Sequence, residues 1–131
     1  MDIRTKSTLT VFVSLALSLL STGTAMAAGT PQNGEQIFQK CKVCHAVETD
    51  APQKLGPNLH GLFGREAGTL ESFDNYSPAM KKLDVVWTED TLMKYLKMPQ
   101  QMVPGTTMAF AGLPKKEDRQ DLIAYLKEAT E

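Results

Sequence analysis

The chain has 131 residues, 42% of them hydrophobic and 22% charged, with a formal net charge of −1 at pH 7. Its length suits one small domain, and with no basic excess it offers nothing to a nucleic-acid backbone. Two cysteines and two histidines are a short supply for chemistry, so where they fall decides most of the reading.

The amino-terminal stretch Met1 to Ala27 has the pattern of a secretory signal. Arg4 and Lys6 form the positive start, Leu9 to Leu20 the apolar stretch, and Ala25-Met26-Ala27 an A-x-A cleavage site. A stretch of twelve residues falls well short of the ~20 that a spanning helix needs. The expectation is therefore a cleaved leader over 1–27, a single domain over 28–131, and a periplasmic location. Without the leader the domain keeps 12 basic and 14 acidic residues, a net charge of −2.

A first helix is expected from about Gln32 onward, with Ile37 and Phe38 on its buried face. Gly34 inside it costs roughly 1 kcal/mol against alanine, which suggests that another helix crosses closely there. That helix leads into Cys41-Lys42-Val43-Cys44-His45, which holds both cysteines. On a helical turn, two thiols three positions apart can both add to the vinyl groups of one haem, and the next residue can offer its imidazole to the iron. The spacing is that of a c-type haem attachment site. A redox disulfide shares the Cys-x-x-Cys part of the pattern but does not require the adjoining histidine. Structural zinc needs four ligands, and the neighbours Cys44 and His45 make an awkward pair for a tetrahedral site. A covalent porphyrin would also supply apolar core to a domain small enough to need a staple.

Ala51 to Gly68 carries four glycines and two prolines and is expected as loop. Ser77-Pro78 pairs a cap with proline at the first helical position, so a short helix should follow. Thr88 caps a clearer helix, with Glu89 and Asp90 at its positive end. Leu92, Met93, Tyr95 and Leu96 give that helix apolar surface until Pro99 stops it. The last helix is expected over Lys116 to Ala129, presenting Leu122, Ile123, Tyr125 and Leu126. No stretch has strand alternation, and the fold class is mostly α.

A second axial ligand separates an electron carrier from an enzyme, because a filled sixth position keeps substrates off the metal. Candidates are Met80, Met93, Met98, Met102, Met108 and His60. Met93 and Met98 lie at helical spacing with apolar neighbours and suit a core. Met80 and Met102 lie beside expected helix ends. Met108 follows Pro104-Gly105-Thr106-Thr107, an irregular loop of the kind that can aim a thioether. His60 is expected at the surface. Loop geometry favours Met108 without closing the question.

From about Gly34 onward the chain resembles the class I c-type cytochromes, the group of mitochondrial cytochrome c and bacterial cytochrome c2. The resemblance rests on Cys41-Lys42-Val43-Cys44-His45, on the run from Gly56-Pro57-Asn58-Leu59-His60 to Gly61-Leu62-Phe63-Gly64-Arg65, and on Pro104-Gly105-Thr106-Thr107-Met108. It implies the small class I cytochrome c fold, with N- and C-terminal helices crossing near Gly34, Phe38, Leu122 and Tyr125 and one covalent haem c as core. It also implies thioether bonds from Cys41 and Cys44 and axial ligation of iron by His45 and Met108. The Pro57 position gives its carbonyl to the free ring nitrogen of the axial histidine. Arg65, Tyr76 and Trp87 match positions that surround the haem propionates. Tyr95 matches one beside the axial methionine, and Thr106 one that bonds near a propionate.

The function that follows is one-electron transfer by a monomer, not catalysis and not small-molecule binding. Expected partners are membrane redox complexes docking at the exposed haem edge, with a quinol–cytochrome c oxidoreductase as donor and a terminal oxidase or photosynthetic reaction centre as acceptor. A haem peroxidase or gas binder would need an open sixth position, and a thiol–disulfide oxidoreductase would need no haem. Against the lysine-rich edge of mitochondrial relatives, this chain keeps Lys40, Lys54, Lys115 and Lys116 but has Gln100, Gln101, Thr107 and Pro114 at positions that are basic elsewhere. Met80 stands where the mitochondrial pattern has asparagine.

Overall fold

The computed structural model describes residues 29–131; the leader expected over Met1 to Ala27 lies outside them. Helix α1, Pro31–Phe38, opens on a proline whose missing N–H is no loss at the first helical position. Its N-cap Thr30 makes no side-chain cap. The start of the helix is instead anchored from across the fold by Asp121, whose carboxylate accepts Thr30 N–H at 2.6 Å and Asn33 Nδ2–H at 3.2 Å. Replacing Asp121 by alanine strands those donors, and a loss of about 1–2 kcal/mol is expected, to be read in thermal unfolding of the haem-loaded protein.

Helix α2, Pro78–Lys81, is capped by Ser77, whose hydroxyl accepts Met80 N–H at 3.1 Å. Helix α3, Glu89–Tyr95, begins with a reciprocal capping box between Thr88 and Thr91 and has Glu89 and Asp90 in its first turn. Helix α5, Lys116–Ala129, buries Leu122, Ile123 and Leu126 with the bounds its apolar spacing required. Among the described residues the only strand-like pairing is the isolated bridge Glu66–Val86, so the chain is mostly α.

Helices α1 and α5 cross. Phe38 and Tyr125 meet with ring centroids 5.3 Å apart, and a Cβ on Gly34 would run into the Asp121 carbonyl oxygen and sit 2.6 Å from Tyr125 Cβ. Around this crossing the buried core gathers Phe38, Leu62, Trp87, Leu92, Val103 and Leu122 with their neighbours.

Three local expectations need correction. The regular part of α1 ends at Phe38, and the cysteines sit on the irregular turns that follow it. Pro99 does more than stop α3: it opens a further helix, α4, Pro99–Met102, since proline that cannot continue a helix is well suited to begin one. Met98 is the extended N-cap of α4 and is 48% exposed, so it is not core; helical spacing lost its meaning once the helix broke before it.

Candidate functional site

The turns after α1 keep helical hydrogen bonding without helical regularity. Cys44 N–H and His45 N–H both reach the Cys41 carbonyl, at 3.0 and 2.9 Å. Residues three and four positions apart on such a turn share a face, so Cys41, Cys44 and His45 present their side chains together. Both cysteines are free thiols. Burial pushes the Cys41 thiol up to about 11, against a smaller opposite pull from Lys40. A dithiol oxidoreductase needs a depressed thiol value, and Cys41 has moved the other way.

His45 Nδ1 lies 2.8 Å from the Pro57 carbonyl oxygen. A carbonyl only accepts, so Nδ1 carries the proton and Nε2 keeps a bare lone pair. Burial holds the imidazole value below its ordinary range, ahead of the opposing effect of the Pro57 bond, and Lys54 adds to the lowering. The ring is therefore a neutral donor of fixed tautomer, the form in which histidine binds metals.

Two residues that spacing did not mark as part of the site hold this turn in place. A Cβ on Gly56 would come 2.5 Å from His45 Cε1 and 2.9 Å from Nδ1, so only glycine lets the Pro57 segment lie against the ring. The glycine directly before that proline was the available signal. Lys54 donates its ammonium to the Lys42 carbonyl at 2.6 Å and to the His45 carbonyl at 3.2 Å. Nothing in the sequence distinguishes it from a surface lysine.

Met108 sits in coil between α4 and α5 that is held at several points. Thr106 N–H donates to Val103, Leu113 N–H to Leu96 at 2.7 Å, and Met108 N–H to the Thr106 hydroxyl at 3.2 Å. Arg119 in α5 is buried and gives Nη1 to the Leu113 and Pro114 carbonyls, at 2.6 and 2.9 Å, anchoring the far end of that coil. Tyr95 donates its hydroxyl to Met108 Sδ at 3.2 Å. Burial raises the Tyr95 phenol above its ordinary value, with Thr106 pulling it back, so it stays protonated and able to donate. The bond occupies one sulfur lone pair and leaves the second for another partner.

Of the remaining expected site residues, Trp87 joins the Met108 side through Tyr95. Trp87 and Tyr95 pack with centroids 5.0 Å apart, and Trp87 N–H donates to the Arg65 carbonyl at 2.9 Å. Arg65 gives Nη1 to the His60 carbonyl and Nη2 to the Asn58 carbonyl, both at 3.0 Å, which braces the loop that carries Pro57. Tyr76 packs edge-on to Phe73 at 4.8 Å, and burial raises its phenol while nearby Arg65 lowers it. Met80 is buried in the core and His60 half-buried, the latter with Nε2 3.4 Å from the Thr49 hydroxyl. A cleft of about 480 Å³ lies beside His60, Trp87 and Lys127, but it touches none of Cys41, Cys44, His45 or Met108.

Two free thiols on one turn face, a neutral imidazole with a bare nitrogen and a thioether with a free lone pair form a donor set that suits haem c. Half-buried apolar side chains, among them Leu59, Leu83, Met93, Met102 and Phe110, pack against the core and suit the apolar body of a porphyrin. The residues present fit the group.

Residues 31–130 match the family described as Cytochrome c. Relatives include cytochrome c of Gibberella zeae, 48% identical over 80% of this chain and 99% of that protein. Cytochrome c of Sesamum indicum is 52% identical over 78% of this chain and 92% of that protein, and that of Ginkgo biloba 50% identical over 78% and 90%. These relatives overturn the periplasmic location expected above: they are eukaryotic cytochromes c, and those sit in the mitochondrial intermembrane space. The periplasmic expectation rested on an apolar stretch behind two cations, outside the described residues. An address of that kind is read by a receptor, and the folded domain imposes nothing that separates the compartments. The family carries one covalently bound haem c and transfers electrons, and by its matched length, its helical fold and its attachment turn this chain belongs to the cytochrome c family.

Proposed function

We propose that the chain carries one electron at a time between membrane redox complexes, on a haem held by Cys41 and Cys44 and ligated by His45 and Met108. Its donor is a quinol–cytochrome c oxidoreductase and its acceptor a terminal oxidase or photosynthetic reaction centre. The observation that carries this reading is the 2.8 Å bond from His45 Nδ1 to the Pro57 carbonyl, which leaves Nε2 as the only nitrogen of the ring able to bind iron.

The bound group supplies a metal that changes charge by one unit. His45 is kept neutral and oriented, so it need not lose a proton or turn when that charge changes. Tyr95 holds the Met108 sulfur from one side, which limits its travel. Buried apolar neighbours penalise the extra positive charge of the oxidised form. The soft sulfur favours the reduced form, and histidine with methionine sets a high potential. Arg65, Trp87 and Thr106 brace the loops that carry the ligands, and together with Tyr76 they would hold the propionates of the group.

The test is a visible spectrum of the purified protein in both redox states. Thioether-linked haem and the weak red charge-transfer band of sulfur on ferric iron are expected; their absence removes the ligand assignment. With few cations at the docking edge, electron transfer to an acidic partner should fall only mildly with salt. Stopped-flow rates across ionic strength check this, and a steep fall contradicts it.

A further inference from the structure

The segment 54–59 clasps the attachment turn. Gly56 N–H donates to the Cys44 carbonyl and Leu59 N–H to the Ala46 carbonyl, both at 2.8 Å. Asn58 Nδ2 donates to the Glu48 carbonyl at 2.8 Å, and the Pro57 carbonyl accepts from His45 Nδ1. A regular helix would close its carbonyls on its own N–H groups, but this turn is irregular. Among the described residues no backbone N–H reaches the Lys42 or His45 carbonyl. One ammonium takes both, that of Lys54, at 2.6 and 3.2 Å. Lys54 forms no ion pair among the described residues, so its charge is left whole. That charge reaches the imidazole, where it adds to the lowering that burial begins.

We propose that Lys54 is a positioning residue for the axial ligand: it binds the His45 carbonyl and holds an uncompensated cation beside it that favours the reduced state. The inference rests on the reading of His45 as an iron ligand. The oxidised group carries one more positive charge than the reduced one, so a fixed cation nearby makes oxidation harder. An ordinary surface lysine moves through solvent on a flexible stem, and its field is averaged and screened. Two charge-assisted bonds, each stronger than a neutral one, keep this ammonium in place. Lys40, one residue before the first attachment cysteine, is exposed and is the natural comparison, since its ammonium is not tied to the turn.

The test compares midpoint potentials of the haem-loaded parent and its Lys54 variants by redox titration. Lys54→Met keeps the stem and removes both charge and donors. At a fixed applied potential its ratio of reduced to oxidised protein should fall about three-fold, which is about 30 mV at 59 mV per ten-fold. Lys54→Gln is neutral and should fall alike, and it carries the measurement if Lys54→Met does not load haem. Lys54→Arg keeps charge and donors and should restore the parent ratio, while Lys40→Met should shift it far less. An unchanged potential in the two neutral variants overturns the inference. If the melting temperature falls in its place, Lys54 is a structural clip only; if the salt dependence of electron transfer changes in its place, Lys54 is a free docking charge. An equal fall in Lys40→Met, or a failure of Lys54→Arg to restore the ratio, overturns it as well. A parent without thioether-linked haem sinks the ligand reading itself, and the inference with it.

Discussion

Replacing Met108 by alanine should convert a protein that resists carbon monoxide and cyanide into one that takes up both, with loss of the red ferric band. Tyr95 donates to Met108 Sδ at 3.2 Å, so the sulfur has one lone pair left, and the coil that carries it is pinned at Thr106, Leu113 and Arg119. On the proposed ligation, deleting the thioether should open the sixth position and remove the soft ligand that would favour the reduced state. The potential should drop on the order of tenths of a volt. Redox titration and ligand-binding kinetics measure both effects. Met108→Leu separates sulfur from bulk, because it keeps the apolar volume and should still lose the band. Retention of the band in either variant would transfer the ligand role to another methionine, Met80, Met93 or Met102.

The second large effect is expected at the helix crossing. Gly34→Ala gains up to about 1 kcal/mol of helix propensity, so an exposed helix would welcome it. Here the new methyl meets the carbonyl oxygen of Asp121 and Tyr125 Cβ. Backbone in the middle of α5 cannot swing aside as a side-chain tip can, so the helices must part. Overpacking of this kind costs about 1–3 kcal/mol, occasionally more. A net loss of about 2 kcal/mol should lower the melting temperature by roughly 10 °C. Glu35→Ala, on the exposed side of the same helix, should leave it nearly unchanged. A Gly34→Ala protein as stable as the parent would show that α1 and α5 tolerate separation.

Much of this was legible before folding. Caps and prolines placed α2 and α3, because each acts through atoms within four residues of itself, and apolar spacing placed α5. Cys41, Cys44 and His45 declared their chemistry by spacing alone. The end of α1 and the birth of α4 were not legible, since they depend on which of several weak local preferences the packed chain selects. Met98 was misjudged for that reason. The compartment was misjudged for a different one: it was taken from a leader pattern, whereas the relatives match the domain.

From its order of residues alone this chain determined its cofactor class, because the attachment chemistry needs only two thiols and an imidazole within five positions. Folding decided what those groups can do. The tautomer of His45 depends on a carbonyl twelve residues away, the setting of Met108 on a phenol thirteen residues back, and the anchoring of the start of α1 on a carboxylate about ninety residues distant. A linear sequence lists donors and acceptors, but a hydrogen bond forms only when the packed chain brings the two within about 3 Å of each other.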